Sequence, residues 1–148
     1  MPLQQISVFL DNRPGSLSEA IAHLDKSQIK IFALSIADAG EFGLIRMITE
    51  DPERTAKILE AADFNLAKSR KNIEVTAVLI TERDTVSRIA KILADNNLNI
   101  EYAYSSAIHV EGKFALVIRV SDLDKAERIL EENNVTVLSF DEIKNNFQ

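Results

Sequence analysis

The strongest constraint on this chain is that it repeats itself. Leu17, Ala20, Ile21 and Leu24 have the same i, i+3, i+4, i+7 spacing as Val86, Ile89, Ala90 and Leu93. Each set marks one apolar stripe on an amphipathic helix. A polar turn and an aliphatic-led strand follow each helix, at Ile29–Leu34 and at Leu98–Ala103. Hairpin turns are expected at Glu41-Phe42-Gly43 and at Val110-Glu111-Gly112, with strands Leu44–Thr49 and Phe114–Val120 behind them. Asp51-Pro52-Glu53 and Asp122-Leu123-Asp124 then open a second helix in each half. Asp is a favourable cap, Pro suits the first turn, and acids there complement the helix dipole. Ala56, Leu59 and Ala62 supply one buried face; Ala126, Ile129 and Leu130 supply the other. Final strands are expected near Asn65–Lys68 and Thr136–Phe140.

With the opening strands Gln5–Leu10 and Ile73–Ile80, each half reads strand-helix-strand-strand-helix-strand. The predicted class is α+β: two tandem ferredoxin-like βαββαβ units, residues 1–70 and 71–148. Each sheet is expected to be antiparallel with both helices on one face. Ile6, Val8 and Leu10 alternate with Gln5 and Ser7 in agreement with that. A unit of ~70 residues buries too little surface to be comfortable alone. Tandem fusion is one remedy, and pairing of sheet edges with another chain is a second. No Gly- or Pro-rich linker separates the halves, so they are expected side by side.

Composition enters by exclusion. The chain has no cysteine, which removes disulfides, Cys-ligated zinc and thiol catalysis. Two histidines, His23 and His109, leave little for a His-based metal site, so no metal and no cofactor is expected. The net charge of −6 speaks against nucleic acid; the local cluster Lys68, Arg70 and Lys71 is small. No apolar run approaches the ~20 residues of a membrane span, and a strand begins directly at the N-terminus, so a cytoplasmic location is expected. Tyr102 and Tyr104 alternate onto one strand face, which suits sheet packing. The acidic pairs Asp122/Asp124 and Glu131/Glu132 read as solvated helix faces, not as a general acid–base pair. No catalytic residues are predicted.

The segment Asp11-Asn12-Arg13-Pro14-Gly15-Ser16-Leu17 joins the first strand to the first helix. Pro14 presets its φ, and Gly15 has no Cβ to block approach to the backbone. The amides of Gly15, Ser16 and Leu17 are expected to point outward at the positive helix end, a place for a carboxylate or another anion. Asp11 or Asn12 is placed to accept from an ammonium. The strand–Arg-Pro-Gly-Ser-Leu–helix pattern, within two βαββαβ units, resembles the ACT domain over nearly the whole chain. That resemblance implies a non-catalytic regulatory module of amino-acid metabolism, working allosterically with an amino acid held by this loop. It maps the ligand to Asp11, Asn12, Arg13, Pro14, Gly15, Ser16 and Leu17, with Ile31 on the facing strand. It also implies association, as a homodimer or with a metabolic enzyme.

The second loop, Thr81-Glu82-Arg83-Asp84-Thr85-Val86, has neither Pro nor Gly. Glu82 and Asp84 place negative charge where a carboxylate would sit. Thr81 or Asp84 is expected to cap the helix, and this copy is expected to be mainly structural or to form a wall of the first copy's pocket. The alternative to ligand binding is a structural or regulatory subunit acting through sheet edges or helix faces. A small enzyme is disfavoured, since the chain offers no histidine dyad and no phosphate loop.

Overall fold

The computed structural model describes residues 3–66 and 73–147. Two compact units are present, one spanning Gln4–Ile73 and the other beginning at Glu74. The boundary expected between Arg70 and Lys71, and the basic cluster Lys68, Arg70 and Lys71, lie outside the described residues.

The first unit runs β1 (Leu3–Asp11), α1 (Ser16–Lys26), β2 (Ile31–Ala39), β3 (Phe42–Thr49), α2 (Pro52–Ala61) and β4 (Asn65–Leu66). Its strands are ordered β2-β3-β1-β4, with antiparallel pairing throughout. The register sets Ile6 opposite Met47 and Val8 opposite Ile45. Paired residues share a face, so these four form one apolar surface. Ala20 and Leu24 of α1 and Ala56 and Leu59 of α2 close over it, giving a core in which Leu24, Leu59, Val8, Ile45 and Met47 are fully buried. Full burial of such a side chain stabilises by about 1.5–3 kcal/mol.

The second unit repeats the plan: β5 (Ile73–Leu79), α3 (Val86–Asp95), β6 (Ile100–Val110), β7 (Lys113–Val120), α4 (Leu123–Glu132) and β8 (Val137–Leu138). Its order is β6-β7-β5-β8. Val78, Ile118, Ile89, Leu93, Ala126 and Leu130 make the equivalent core. Antiparallel sheets and helices on one face are therefore present in both units.

Three local features differ from expectation. The β2–β3 turn is Gly40-Glu41, while Gly43 lies inside β3 opposite Leu10 and Asp38. The Asp38 carboxylate accepts from the Gly40 N–H at 3.0 Å, and Gly40 takes the φ of +81° that closes the turn. The final strand of the second unit, β8, is shorter than expected, and Phe140 begins a fifth helix, α5 (Phe140–Asn146); the rest of the strand expected over Asn65–Lys68 lies outside the described residues. Ser139 and Glu142 form a reciprocal capping box there, a Ser-x-x-Glu signal legible in the sequence. Finally, Thr85 caps α3 by accepting from the Arg88 N–H, so neither Thr81 nor Asp84 is the cap.

The helix ends share one device. Gln28, Asp63, Asn97 and Asn134 follow α1, α2, α3 and α4 with φ between 56° and 65°. The next residue's N–H then donates back into the last turn: Ile29 to Leu24 O, Phe64 to Leu59 O, Leu98 to Leu93 O and Val135 to Leu130 O. These are Schellman stops built without glycine.

Candidate functional site

The loop after β1 is held by its own backbone. The Asn12 N–H donates to Glu41 O at 3.0 Å, and Asn12 Nδ2 donates to Gly40 O at 3.1 Å. Asn12 thus ties the loop to the β2–β3 turn. The Arg13 N–H donates to Asp11 O at 2.9 Å, closing a tight turn. Pro14 follows, exposed, and Gly15 stands at the N-cap of α1 with φ +89° and no side-chain cap. A Cβ built on Gly15 meets nothing within 4 Å, so what demands glycine here is the backbone angle.

Ser16 is the unusual residue. It is 6 % exposed, and its Oγ has no hydrogen-bond partner. Its N–H is not free, since it donates to Arg13 O at 3.3 Å. An unpaired buried hydroxyl costs about 1–3 kcal/mol relative to a satisfied one. Ser16 lines a cavity of about 220 Å³ together with Phe9, Asp11, Arg13, Glu19 and the turn Ala62–Asn65 between α2 and β4. Arg13 leans across the mouth, with Nη2 at 3.5 Å from Glu19 Oε2 and Nε at 3.7 Å from Asp11 Oδ2. All three side chains are more than half exposed, so these pairs hold Arg13 weakly.

Of the residues expected at the site, Asp11, Arg13 and Ser16 meet in this cavity. Asn12 faces the hairpin turn, and Leu17 and Ile31 pack on the first core. The far wall, Ala62 to Asn65, carries no signal in the sequence, because only the tertiary fold brings it to the start of α1. His23 packs edge-to-face on Phe64, with ring centroids 5.8 Å apart, in keeping with a structural histidine. The Tyr102 and Tyr104 rings lie near parallel, 6.5 Å between centroids, on one face of β6.

The same corner of the second unit is filled. Asp84, 3 % exposed, accepts from Arg83 Nε and Nη2 at 3.1 and 3.0 Å and from Arg88 Nη1 at 2.7 Å. Its N–H donates to Thr81 Oγ1 at 2.8 Å. The two guanidinium groups reach on to the end of α4, Arg83 Nη2 to Asn134 O at 2.6 Å and Arg88 Nη2 to Asn133 O at 3.2 Å. Cations belong at that negative helix end. Hydrogen bonding to Asp84, and then its charge, raise the already high pKa of Arg83.

Among the described residues no group of three or more His, Asp or Glu is placed to hold a metal, and no helix is long and apolar enough to cross a membrane. The concavity over Asp124, Glu127, Arg128, Glu131 and Glu132 lies on a single helix face of α4, as a solvated surface would.

A family profile described as "ACT domain pair" matches residues 1–146. The chain is similar to protein BT0572 from Bacteroides thetaiotaomicron, at 30% identity and a TM-score of 0.81 over 97% of this chain and 96% of that one. It shares its fold with the ligand-free regulatory subunit of aspartate kinase from Thermus thermophilus, at 15% identity and a TM-score of 0.61 over 87% of this chain and 90% of that chain. The aspartokinase alpha and beta subunits give 15% identity and a TM-score of 0.56, over 86% of this chain and 90% of that one. No curated protein matches. The family match over almost the entire length, on top of two βαββαβ units with a strand–loop–helix corner in each, places this chain in the ACT domain family as an ACT domain pair.

Proposed function

We propose that this ACT domain pair is a non-catalytic regulatory module that binds an amino acid in the first unit and thereby modulates an enzyme of amino-acid metabolism. The observation that carries this reading is the cavity at the β1–α1 loop, lined in part by Ser16, whose buried hydroxyl is unpaired. Its volume, about 220 Å³, is below the ~300–1,000 Å³ of sites for drug-sized ligands and suits a smaller molecule. The start of α1 and the end of α2 both line it, one positive and one negative by their peptide dipoles. A zwitterion fits between two such ends: its carboxylate toward Ser16 and its ammonium toward Asp63 and the end of α2. The second unit's filled corner makes that copy a structural partner in this reading.

Isothermal calorimetry of the full chain with each of the twenty amino acids tests the proposal. At least one is expected to bind saturably and to raise the melting temperature. Twenty flat titrations with no thermal shift would remove the reading.

Association is the second part of the proposal. β2 is an edge strand of its sheet, and Ile36 and Phe42, on β2 and the adjacent β3, are 53 % and 48 % exposed. Apolar side chains on and beside an open edge favour pairing with a second copy. Light scattering is expected to give the mass of a dimer; a strict monomer at high concentration would leave ligand binding standing and association without support.

A further inference from the structure

We infer that Arg83 and Arg88 form a carboxylate clamp in the second unit, and that Asp84 occupies it as a tethered ligand. This site is a different one from the cavity of the first unit and stands whatever that cavity binds.

The clamp is fastened by bonds other than those to the group it holds. Arg83 Nη2 donates to Asn134 O at 2.6 Å, and Arg88 Nη2 donates to Asn133 O at 3.2 Å. Each guanidinium is thus anchored at the end of α4 without Asp84, where the helix dipole favours a cation. Arg83 then presents Nε and Nη2 side by side, at 3.1 and 3.0 Å from the two Asp84 oxygens. Arg88 Nη1 adds a third donor at 2.7 Å. A guanidinium fork backed by a second guanidinium fixes a carboxylate in both position and orientation. Two positive charges meet one negative charge, so the clamp without its occupant is strongly cationic.

The occupant is held separately as well. The Thr81 N–H donates to Asp84 O at 3.1 Å, and the Asp84 N–H donates to Thr81 Oγ1 at 2.8 Å. The main chain at position 84 is therefore fixed with or without its side chain. From that frame Asp84 extends one methylene and one carboxylate, nearly fully buried. Chemically this is acetate attached through its methyl carbon. A group tethered so closely is present at an effective concentration that keeps the clamp saturated. The start of α3 stays fastened to the end of α4, and the corner answers to no free carboxylate. Removal of the side chain leaves an empty clamp of defined shape. Arg83 and Arg88 are 61% and 35% exposed, so a small anion can reach it.

Melting temperatures of the full chain in sodium acetate, sodium formate and sodium chloride at equal ionic strength test this. Asp84→Gly lacks the whole side chain, and acetate matches the missing heavy atoms. Asp84→Ala keeps the Cβ, and formate matches what is lost. Each matched anion at about 100 mM is expected to raise its variant's melting temperature at least ~3 °C above the chloride value, as for a dissociation constant on the order of 10 mM. Wild type is expected to show no such difference, because its clamp is full. Should Asp84→Gly be unfolded in chloride, refolding in acetate is the same readout. Asp84→Asn, which fills the space without the charge, is expected to respond to neither anion. Adding Arg88→Met to Asp84→Gly is expected to abolish the rescue. Rescue of either variant by its matched anion, absent from wild type and from the double variant, carries the assignment. If neither matched anion exceeds chloride, if wild type gains as much, or if rescue survives the loss of Arg88, the clamp is overturned.

Discussion

Leu24→Ala is expected to cost about 3 kcal/mol, within the 2–5 kcal/mol typical of a fully buried leucine. Leu24 is 0 % exposed and sits among Ile6, Val8, Ile45, Met47 and Leu59, where the helices meet the sheet. The loss has two parts, the transfer of the removed methyl groups and the cavity left behind. Domains of this size keep only ~5–15 kcal/mol of stability in all, so the change is a large share of it. Urea unfolding checks it: the midpoint falls while the slope stays the same. A loss below 1 kcal/mol would mean that the α1–α2–sheet core closes over the gap, against the dense packing described here. Because α1 also carries Ser16 at its first position, the variant is expected to weaken ligand binding along with stability.

Asp84→Ala is expected to cost about 2 kcal/mol. The carboxylate is nearly fully buried and accepts three charged hydrogen bonds. Bonds of that kind contribute about 1.5–3 kcal/mol apiece when intact. The loss stays below their sum because water can reach the guanidinium groups once the carboxylate is gone; Arg83 and Arg88 are 61% and 35% exposed. The contrast is with the Lys91–Asp95 pair at 3.2 Å on the surface of α3. Lys91→Ala is expected to change stability by less than about 0.5 kcal/mol, since an exposed i,i+4 pair contributes only a few tenths. Chemical denaturation of the two variants side by side decides the matter. Equal midpoints would show that the buried constellation contributes no more than a surface pair.

What was legible in the sequence follows from the range of the interaction that encodes it. The helices could be read because Leu17, Ala20, Ile21 and Leu24 repeat locally, and so could the strands, by alternation. Antiparallel order and helices on one face then follow from a chain that repeats the same six elements. Gly40 and Gly43 both offer a glycine for the β2–β3 turn, and the choice of Gly40 rests on the Asp38 hydrogen bond, a local signal of a less familiar kind. The fifth helix is announced by Ser139 and Glu142, although its seven residues are too few for a clear apolar period. At the candidate site, Asp11, Arg13 and Ser16 lie on one loop and could be named. Glu19 lies one turn into α1 and is local to them, whereas the Ala62–Asn65 wall could not be named, because it reaches the cavity by helix packing across some fifty residues of chain. Asp84 was recognised as a negative charge, but its two arginine partners fall into place only when the end of α4 is brought to them.

The glycine-free helix stops have a consequence for how such a module can diversify. At Gln28, Asp63, Asn97 and Asn134 the chain reverses through main-chain hydrogen bonds, in the same geometry each time. The path of the chain is set by the backbone, so the side chain at each stop is released from a structural duty. At position 63 it is a carboxylate facing a cavity; at position 134 the carbonyl alone is used, by a neighbouring arginine. A corner of constant shape with exchangeable chemistry lets a duplicated unit change what it recognises by single substitutions, without redrawing the scaffold.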